Sequence, residues 1–302
     1  MSWTDNEEIP DQASKAPPAL AAFQGRLHMV HLGDSSNDLW WSIYDGTEWR
    51  KPDGTPGNER IPGQKSKATP ALAAVGNQLH MVHLGDSSDD LWWSIYDGTE
   101  WRKPDGTPGN ERIPDQQSKA APALAEFAGR LYLVHLGESS NDLWWSINSG
   151  NEWRRPDGAL GNARIDDQRS KAAPAIAAHG LAVHMVHLGD SSDNIWYSTK
   201  PTSELEWSAN RQIGQASRTS PALASVFTLA GVAGLHMVRL GTSGDKLWHS
   251  QLDGTTWTTA EEIPKQASKA APALAGLDGT VHMVHLGESS NRLWHSWFDG
   301  AQ

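Results

Sequence analysis

A small set of chemically capable side chains recurs six times along this chain. In its first copy the set contains Lys15, His31, Asp34, Trp40 and Trp41. These residues supply a cation, an imidazole, a carboxylate and two aromatic rings. Aromatic rings combine an apolar body with a polar edge, so the set is suited to stacking on an apolar ring face while charged groups bond to hydroxyls. We therefore predict one polar binding site per copy.

The equivalent residues keep their chemical type in most copies, and we predict that all of them contact ligand. The cations are Lys15, Lys67, Lys119, Lys171, Arg218 and Lys269, and the residues at the position of His31 are His31, His83, His135, His187, Arg239 and His285. The acidic residues are Asp34, Asp86, Glu138, Asp190 and Glu288, with Thr242 in the remaining copy. The first aromatic residues are Trp40, Trp92, Trp144, Trp196, Trp248 and Trp294, and the second are Trp41, Trp93, Trp145, Tyr197, His249 and His295.

Each aromatic or histidine position also has a structural interpretation. For the Trp40 set, packing and ligand contact are about equally supported. The Trp41 position varies only among flat polar rings, which favours ligand stacking over packing between sheets. His28 and His31 point to opposite faces of a strand, so they cannot chelate one metal ion together. Buried, hydrogen-bonded histidines are the favoured interpretation, although the His31 set could still donate to a ligand.

The elements that position these residues repeat with them. The repeats start near Pro18, Pro70, Pro122, Pro174, Pro221 and Pro272, at spacings of 52, 52, 52, 47 and 51 residues. Each repeat contains four strand-like segments separated by Gly, Asn, Asp and Ser, and none contains a helical period. Such a period and strand content are typical of a propeller blade. We predict an all-β fold, a six-bladed β-propeller of four-stranded antiparallel blades forming a single domain over residues 1–302.

The two ends of the sequence complement each other. The last repeat lacks its fourth-strand segment, whereas residues 3–10 (WTDNEEIP) match residues 257–264 (WTTAEEIP). We predict that the N-terminal strand completes the last blade and closes the ring, which removes an open sheet edge.

Strand reversal predicts which links share a face of the ring. The links after the second and fourth strands lie on one face, and they contain the Asp34 and Lys15 sets. The ends of the strands next to these links carry His31, Trp40 and Trp41. We therefore expect the lysine, aspartate, histidine and tryptophan of each copy to lie together on that face, which gives one polar site per blade.

Composition excludes several classes of partner. The formal net charge is −11, which argues against nucleic acid or an anionic membrane surface. The chain has no cysteine, so thiol chemistry and zinc–thiolate sites are excluded. We expect no signal peptide, no membrane insertion and no cofactor or metal. The expected origin is synthesis in the cytosol, with any release by a non-classical route; the final location and the oligomeric state stay open.

Several motifs resemble those of the six-bladed fungal fucose-binding lectins and the related bacterial seven-bladed propeller lectins. They are Pro-Ala-Leu, a Gly after strand two, Leu-Trp-(Trp/His)-Ser and Asp-Gly-x-x-Trp, as in LWHSWFDG near the C-terminus. The resemblance covers the whole chain and implies sugar pockets between neighbouring blades. The fifth repeat departs from the pattern at Arg218, Arg239, Thr242 and Gly244, so we predict a weakened or altered site there.

Repetition also bears on catalysis. Every candidate acid or base is present five or six times. A catalyst instead needs one set of residues that differs from the other copies. The Ser42–Trp49 segment resembles the Asp-box hairpin of sialidases, with its Asp one place late, and no singular Arg cluster accompanies it. We predict a multivalent carbohydrate-binding protein, for fucose or a related sugar, without enzymatic activity. The alternatives are a protein-interaction scaffold, a sialidase-like glycosidase, and a symmetrised or engineered propeller.

Overall fold

The computed structural model describes residues 2–148, 150–227 and 233–299, and within these ranges every regular element is a β-strand. The ends of the predicted domain, Met1 and Gln302, and Gly300 of the C-terminal motif lie outside them. No helix in the described ranges is long and apolar enough to cross a membrane.

The strands follow the predicted repeat. Strands β1 (Ser2–Trp3) and β2 (Glu7–Ala13) precede the first blade. Blade 1 contains β3 (Ala19–Phe23), β4 (Arg26–Leu32), β5 (Asp38–Tyr44), β6 (Trp49–Arg50) and β7 (Glu59–Lys65). Blade 2 contains β8 (Ala71–Val75), β9 (Gln78–Leu84), β10 (Asp90–Tyr96), β11 (Trp101–Arg102) and β12 (Glu111–Gln117). Blade 3 contains β13 (Ala123–Phe127), β14 (Arg130–Leu136), β15 (Asp142–Asn148), β16 (Trp153–Arg154) and β17 (Ala163–Arg169).

The second half of the ring has the same plan. Blade 4 contains β18 (Ala175–His179), β19 (Ala182–Leu188), β20 (Asn194–Pro201) and β21 (Arg211–Ala216). Blade 5 contains β22 (Ala222–Phe227), β23 (Ala233–Leu240), β24 (Lys246–Asp253), β25 (Thr256–Trp257) and β26 (Glu261–Ala267). Blade 6 contains β27 (Ala273–Leu277), β28 (Thr280–Leu286) and β29 (Arg292–Asp299).

Each blade is a four-stranded antiparallel sheet whose outer strand is usually broken into two pieces. In blade 1 the order is β3-β4-β5-β6, and β7 also pairs with β5. The register shifts between Asp38 and Trp40, where the outer strand bulges. The small-residue strands that start at Ala19, Ala71 and their equivalents lie innermost and contact one another around the axis. The predicted six-bladed propeller is confirmed.

The N-terminal segment closes the ring as predicted. Trp3 pairs with Phe298, and Glu7 pairs with His295 of β29. Ile9 in β2 is 2% exposed and packs in the core between blades 6 and 1. Strands β1 and β2 therefore form the outer strand of the last blade, and its edge is paired.

The core lies between adjacent blades, because every blade packs on both of its faces. Val30 and Leu32 of blade 1 cluster with Leu79 and Met81 of blade 2. Because of this two-sided burial, every residue of β4 after Arg26 is buried, including its two histidines. A buried serine in each third strand also donates to a glutamine in the preceding outer strand, for example Ser42 Oγ to Gln12 Oε1 at 3.0 Å. The other pairs are Ser94–Gln64, Ser146–Gln116, Ser198–Gln168, Ser250–Gln215 and Ser296–Gln266.

Candidate functional site

A cavity of about 270 Å³ opens where the β4–β5 link of blade 1 meets the preceding outer strand. We call it the blade-1 cavity. Its walls are His31 and Trp40, the link residues Gly33 to Ser36, Asn58, and Asp11 and Ala13 of β2. His31 and Trp40 face each other directly across the β4–β5 pair, so they lie on one face of the sheet. The antiparallel register thus brings two of the predicted residues into one wall.

His31 is buried, and its hydrogen bonds fix its tautomer. Nδ1 lies 2.7 Å from the carbonyl oxygen of Leu32, which can only accept, so Nδ1 carries the proton. Nε2 is therefore an acceptor and lies 3.0 Å from Asn58 Nδ2. Burial lowers the pKa of His31 to about 4, against a smaller opposing effect of the Leu32 hydrogen bond. The imidazole is neutral near pH 7, and the prediction that it could donate to a ligand is wrong.

The indole of Trp40 forms the aromatic wall of the cavity. A Cβ atom on Gly33 would lie 2.4 Å from Ser36 Oγ and 3.2 Å from Trp40 Nε1, so only glycine allows this close approach. Within the described part of the chain, the Trp40 N–H makes no hydrogen bond, and it therefore remains a donor for a ligand. The aromatic face and this donor lie beside the Asp34 carboxylate and the hydroxyls of Ser35 and Ser36.

A bulge in the outer strand aims one further side chain into the cavity. Asp11 has φ of 57°, and the β2–β29 register shifts between Glu8 and Ala13 around it. Bulges redirect side chains and are common beside functional sites. Here the bulge brings the Asp11 carboxylate opposite the link that carries Asp34.

The predicted cations are bound within their own blades. Lys15 Nζ donates to Asn37 Oδ1, and Lys67 Nζ pairs with Asp89. The remaining pairs are Lys119–Asn141, Lys171–Asp193, Arg218–Asp245 and Lys269–Asn291. Lys15 does not line the blade-1 cavity, whereas Lys269 lines a larger one of about 600 Å³ between blades 6 and 1. The cations therefore bind the link between the second and third strands of their own blades. In blade 6, Lys269 also lines a cavity.

The predicted acidic residues lie at the junctions between blades. Asp86 accepts from Asn37, Asp190 accepts from Asn141, and Asp34 accepts from Asn291. Asp34, Asp86 and Glu138 also line cavities. These carboxylates thus connect neighbouring blades and face the site.

The Trp41 set lies elsewhere, and the expectation that these rings stack on a ligand at the rim is wrong. Trp41 is 4% exposed and contacts Tyr96 and Trp101 of blade 2 at centroid distances of 4.6 and 5.8 Å. It is opposite Val30 in the register, on the other face from Trp40. The other members are also buried and contact the outer aromatic residues of the next blade: Trp93, Trp145, Tyr197, His249 and His295.

The polar edge of this set has an internal partner. Trp41 Nε1 donates to His28 Nδ1 at 3.2 Å, and His249 Nε2 lies 3.0 Å from His236 Nδ1. The equivalent pairs are Trp93–His80, Tyr197–His184 and His295–His282. Trp145 is the exception, because its indole is stacked beside Tyr132 and the indole N–H has no hydrogen-bond partner among the described residues. The five pairs agree with the interpretation of the His28 set as buried and hydrogen-bonded.

The cavity recurs in blades 2 and 3. The blade-2 cavity, about 270 Å³, contains His83, Asp86, Trp92 and Asn110, with Gly63 at the bulge. The blade-3 cavity, about 190 Å³, contains the predicted residues His135, Glu138 and Trp144, together with Asn162 and Asp115. The His–Asn bond recurs in both, at 2.9 Å. Three neighbouring blades thus present nearly the same wall.

In blade 5 a different residue stands at the histidine position of this wall, as the departures in its sequence suggested. Arg239 takes the histidine position and donates to Gln215 Oε1 and to the carbonyl oxygen of Leu240. Its guanidinium lies over the ring of Trp248 at 5.8 Å. In blade 5 a cation therefore lies over the indole that corresponds to Trp40 of the blade-1 cavity.

Two contributors to the wall were absent from the predicted set. One is the asparagine that bonds to the buried histidine, represented by Asn58. It recurs three residues before the outer-strand isoleucine, and this spacing is visible in the sequence. The other is the bulge residue, represented by Asp11, whose role depends on a backbone φ that the sequence does not display. In the described ranges, no three His, Asp or Glu residues are grouped so as to hold a metal ion.

No protein-family model and no curated protein matches the sequence. The fold is similar to AofleA from Arthrobotrys oligospora, at 13% identity and a TM-score of 0.69, covering 100% of this chain and 88% of that one. It is also similar to the Penicillium chrysogenum α-L-arabinanase complexed with arabinobiose, at 14% identity and a TM-score of 0.67, covering 99% of each chain. The Trypanosoma rangeli sialidase has 10% identity and a TM-score of 0.69, over 95% of this chain and 55% of the sialidase.

These likenesses correct the prediction that the chain has no enzymatic activity. The solved structures that share its architecture include a sialidase and an arabinanase. The fold is therefore compatible with a glycosidase, and repetition of the blades does not by itself exclude catalysis, because activity depends on the groups that a fold carries.

Proposed function

We propose that this protein binds carbohydrate in the repeated cavities, with fucose or a related sugar as the ligand class. The observation that carries this proposal is the recurring wall in blades 1, 2 and 3: an indole, a neutral histidine held by an asparagine, a carboxylate and hydroxyls. An aromatic face packs against the apolar side of a sugar ring. The surrounding acceptors and donors bond to its hydroxyls.

The size and number of the cavities also support the proposal. Volumes of about 190–270 Å³ are suited to one sugar ring. The cavities are open to solvent, so each contact is expected to be weak. Several equivalent sites on one rigid ring gain avidity through effective concentration when the ligand is also repetitive. A surface that displays many copies of a glycan is such a ligand.

The likeness to solved structures supports the proposal at the level of the fold. The blade motifs resemble those of the six-bladed fungal fucose-binding lectins, and the ring is similar to AofleA over the full length of this chain. The arabinanase structure holds arabinobiose on the same architecture. Both observations favour a carbohydrate as the ligand over a peptide.

The test is a screen of immobilised glycans followed by calorimetric titration of the best monosaccharide. Saturable binding of more than one equivalent per chain supports a multivalent carbohydrate-binding protein. Binding of no glycan would overturn the proposal and leave a protein-interaction scaffold as the alternative. A chromogenic glycoside assay on the same sample would detect hydrolysis, which would make the protein a glycosidase.

A further inference from the structure

The cavities differ most at the bulge residue. The blade-1 and blade-3 cavities have Asp11 and Asp115 there, whereas the blade-2 cavity has Gly63 and adds Lys65 to its lining. All three bulge residues adopt positive φ, at 57°, 56° and 69°. The backbone is therefore the same in the three cavities, and the difference lies in the side chain.

This difference changes the formal charge of each cavity. The blade-1 cavity is lined by two carboxylates, Asp11 and Asp34. Both also line the larger cavity between blades 6 and 1 together with Glu8, Lys269 and Arg292, and these five groups give −1. The blade-3 cavity is lined by Asp115 and Glu138 and by no lysine or arginine, which gives −2. The blade-2 cavity has Asp86 with Lys65, which gives 0. The histidines in these walls are neutral because burial lowers the pKa of each to about 4.

The aspartates are held at a conformational cost. Non-glycine residues in the left-handed region are strained, although aspartate less than most, and Gly63, Gly214 and Lys265 occupy the same bulge in other blades. Strain of this kind concentrates at functional sites. The bulge itself therefore does not require a carboxylate, and the carboxylates of Asp11 and Asp115 line a cavity in both cases described above.

We propose that the bulge residue determines ligand selectivity, and that the blade-1 and blade-3 cavities select amino sugars over their neutral counterparts. This inference rests on the proposed function. The ammonium group of an amino sugar pairs with the two carboxylates and lies beside the indole of Trp40 or Trp144, which attracts a cation. The blade-2 cavity has one carboxylate balanced by a lysine, so it takes neutral and amino sugars without this preference.

The test compares matched sugar pairs by calorimetric titration at pH 6, where the amines are protonated. The probes are D-glucose and D-glucosamine, D-galactose and D-galactosamine, and L-fucose and L-fucosamine. Exposed ion pairs are weak, so we expect roughly a two- to fivefold preference for the amino sugar per carboxylate. Because such pairs are screened by salt, the preference should shrink between about 0.05 and 0.5 M NaCl.

Two variants assign the effect to the bulge. In the double variant Asp11→Gly and Asp115→Gly the preference for the amino sugar should disappear, and the protein should stay folded because glycine occupies the same bulge at Gly63 and Gly214. The converse variant Gly63→Asp should add a preferring site. Equal binding of both members of every pair to the wild-type protein would overturn this inference alone, as would a preference that survives the double variant. Binding of none of the six sugars would also overturn this inference, and the glycan screen would then decide separately whether the proposed function stands.

Discussion

Replacing Ile9 by alanine tests the closure of the ring at a single side chain. Ile9 is 2% exposed and packs in the core between blades 6 and 1. Buried isoleucine to alanine costs about 2–5 kcal/mol in a core that cannot collapse. Ile61 and Ile113, at the same position in blades 1 and 2, are 2% and 1% exposed and provide matched controls within the continuous chain. We expect Ile9→Ala and Ile61→Ala to lower the free energy of unfolding by the same amount, about 3 kcal/mol.

The assay is urea denaturation followed by tryptophan fluorescence, with thermal unfolding as a second measurement. Glu7→Ala, at an exposed position of the same strand, should change the unfolding free energy by less than about 0.5 kcal/mol. If β2 were only a loosely attached tail, Ile9→Ala would resemble Glu7→Ala and not Ile61→Ala. That result would refute the closure argument.

Two further predictions concern the interior of the ring. Trp41→Ala should destabilise the protein by about 3–5 kcal/mol, because Trp41 is buried against Tyr96 and Trp101. If chemical denaturation showed a loss below about 1 kcal/mol, the assignment of Trp41 to the core would be wrong. Acidification should unfold the protein between pH 6.5 and 4, because burial lowers the pKa of histidines such as His31 and His80 to about 4. The unfolded chain then binds more protons than the folded one in this window, so the free energy of unfolding decreases as the pH is lowered. A thermal midpoint that stays constant from pH 7 to pH 4 would contradict this.

The fold was predictable because its signals are local and repeated. A period near 52 residues, turn residues between short apolar segments and the split last repeat together predicted six blades and their closure. The pairing of Trp3 with Phe298 follows from matching one end of the sequence to an internal copy of the same segment. No knowledge of side-chain contacts was needed for that step.

The site was only partly predictable, for physical reasons that differ between residues. Trp40 and Trp41 are adjacent and chemically identical, and only the register decides which faces the cavity and which faces the next blade. The polar edge of Trp41 suggested that its N–H bonds to a ligand. In the structure that N–H donates to His28, thirteen residues earlier. Asp11 reaches the cavity because of a bulge and a positive φ, which a strand pattern does not reveal. Lys15 has the chemistry of a ligand donor, but Asn37 accepts its hydrogen bond.

The measurement that tests the central claim most directly is the sugar stoichiometry of two tryptophan variants. Trp40→Ala removes the aromatic wall of the blade-1 cavity, whereas Trp248→Ala changes the equivalent ring in blade 5, which Arg239 already covers. Calorimetric titration with the best monosaccharide should show about one bound equivalent fewer for Trp40→Ala and an unchanged number for Trp248→Ala. An unchanged stoichiometry and affinity in a folded Trp40→Ala variant would contradict the assignment of the cavity as the carbohydrate site.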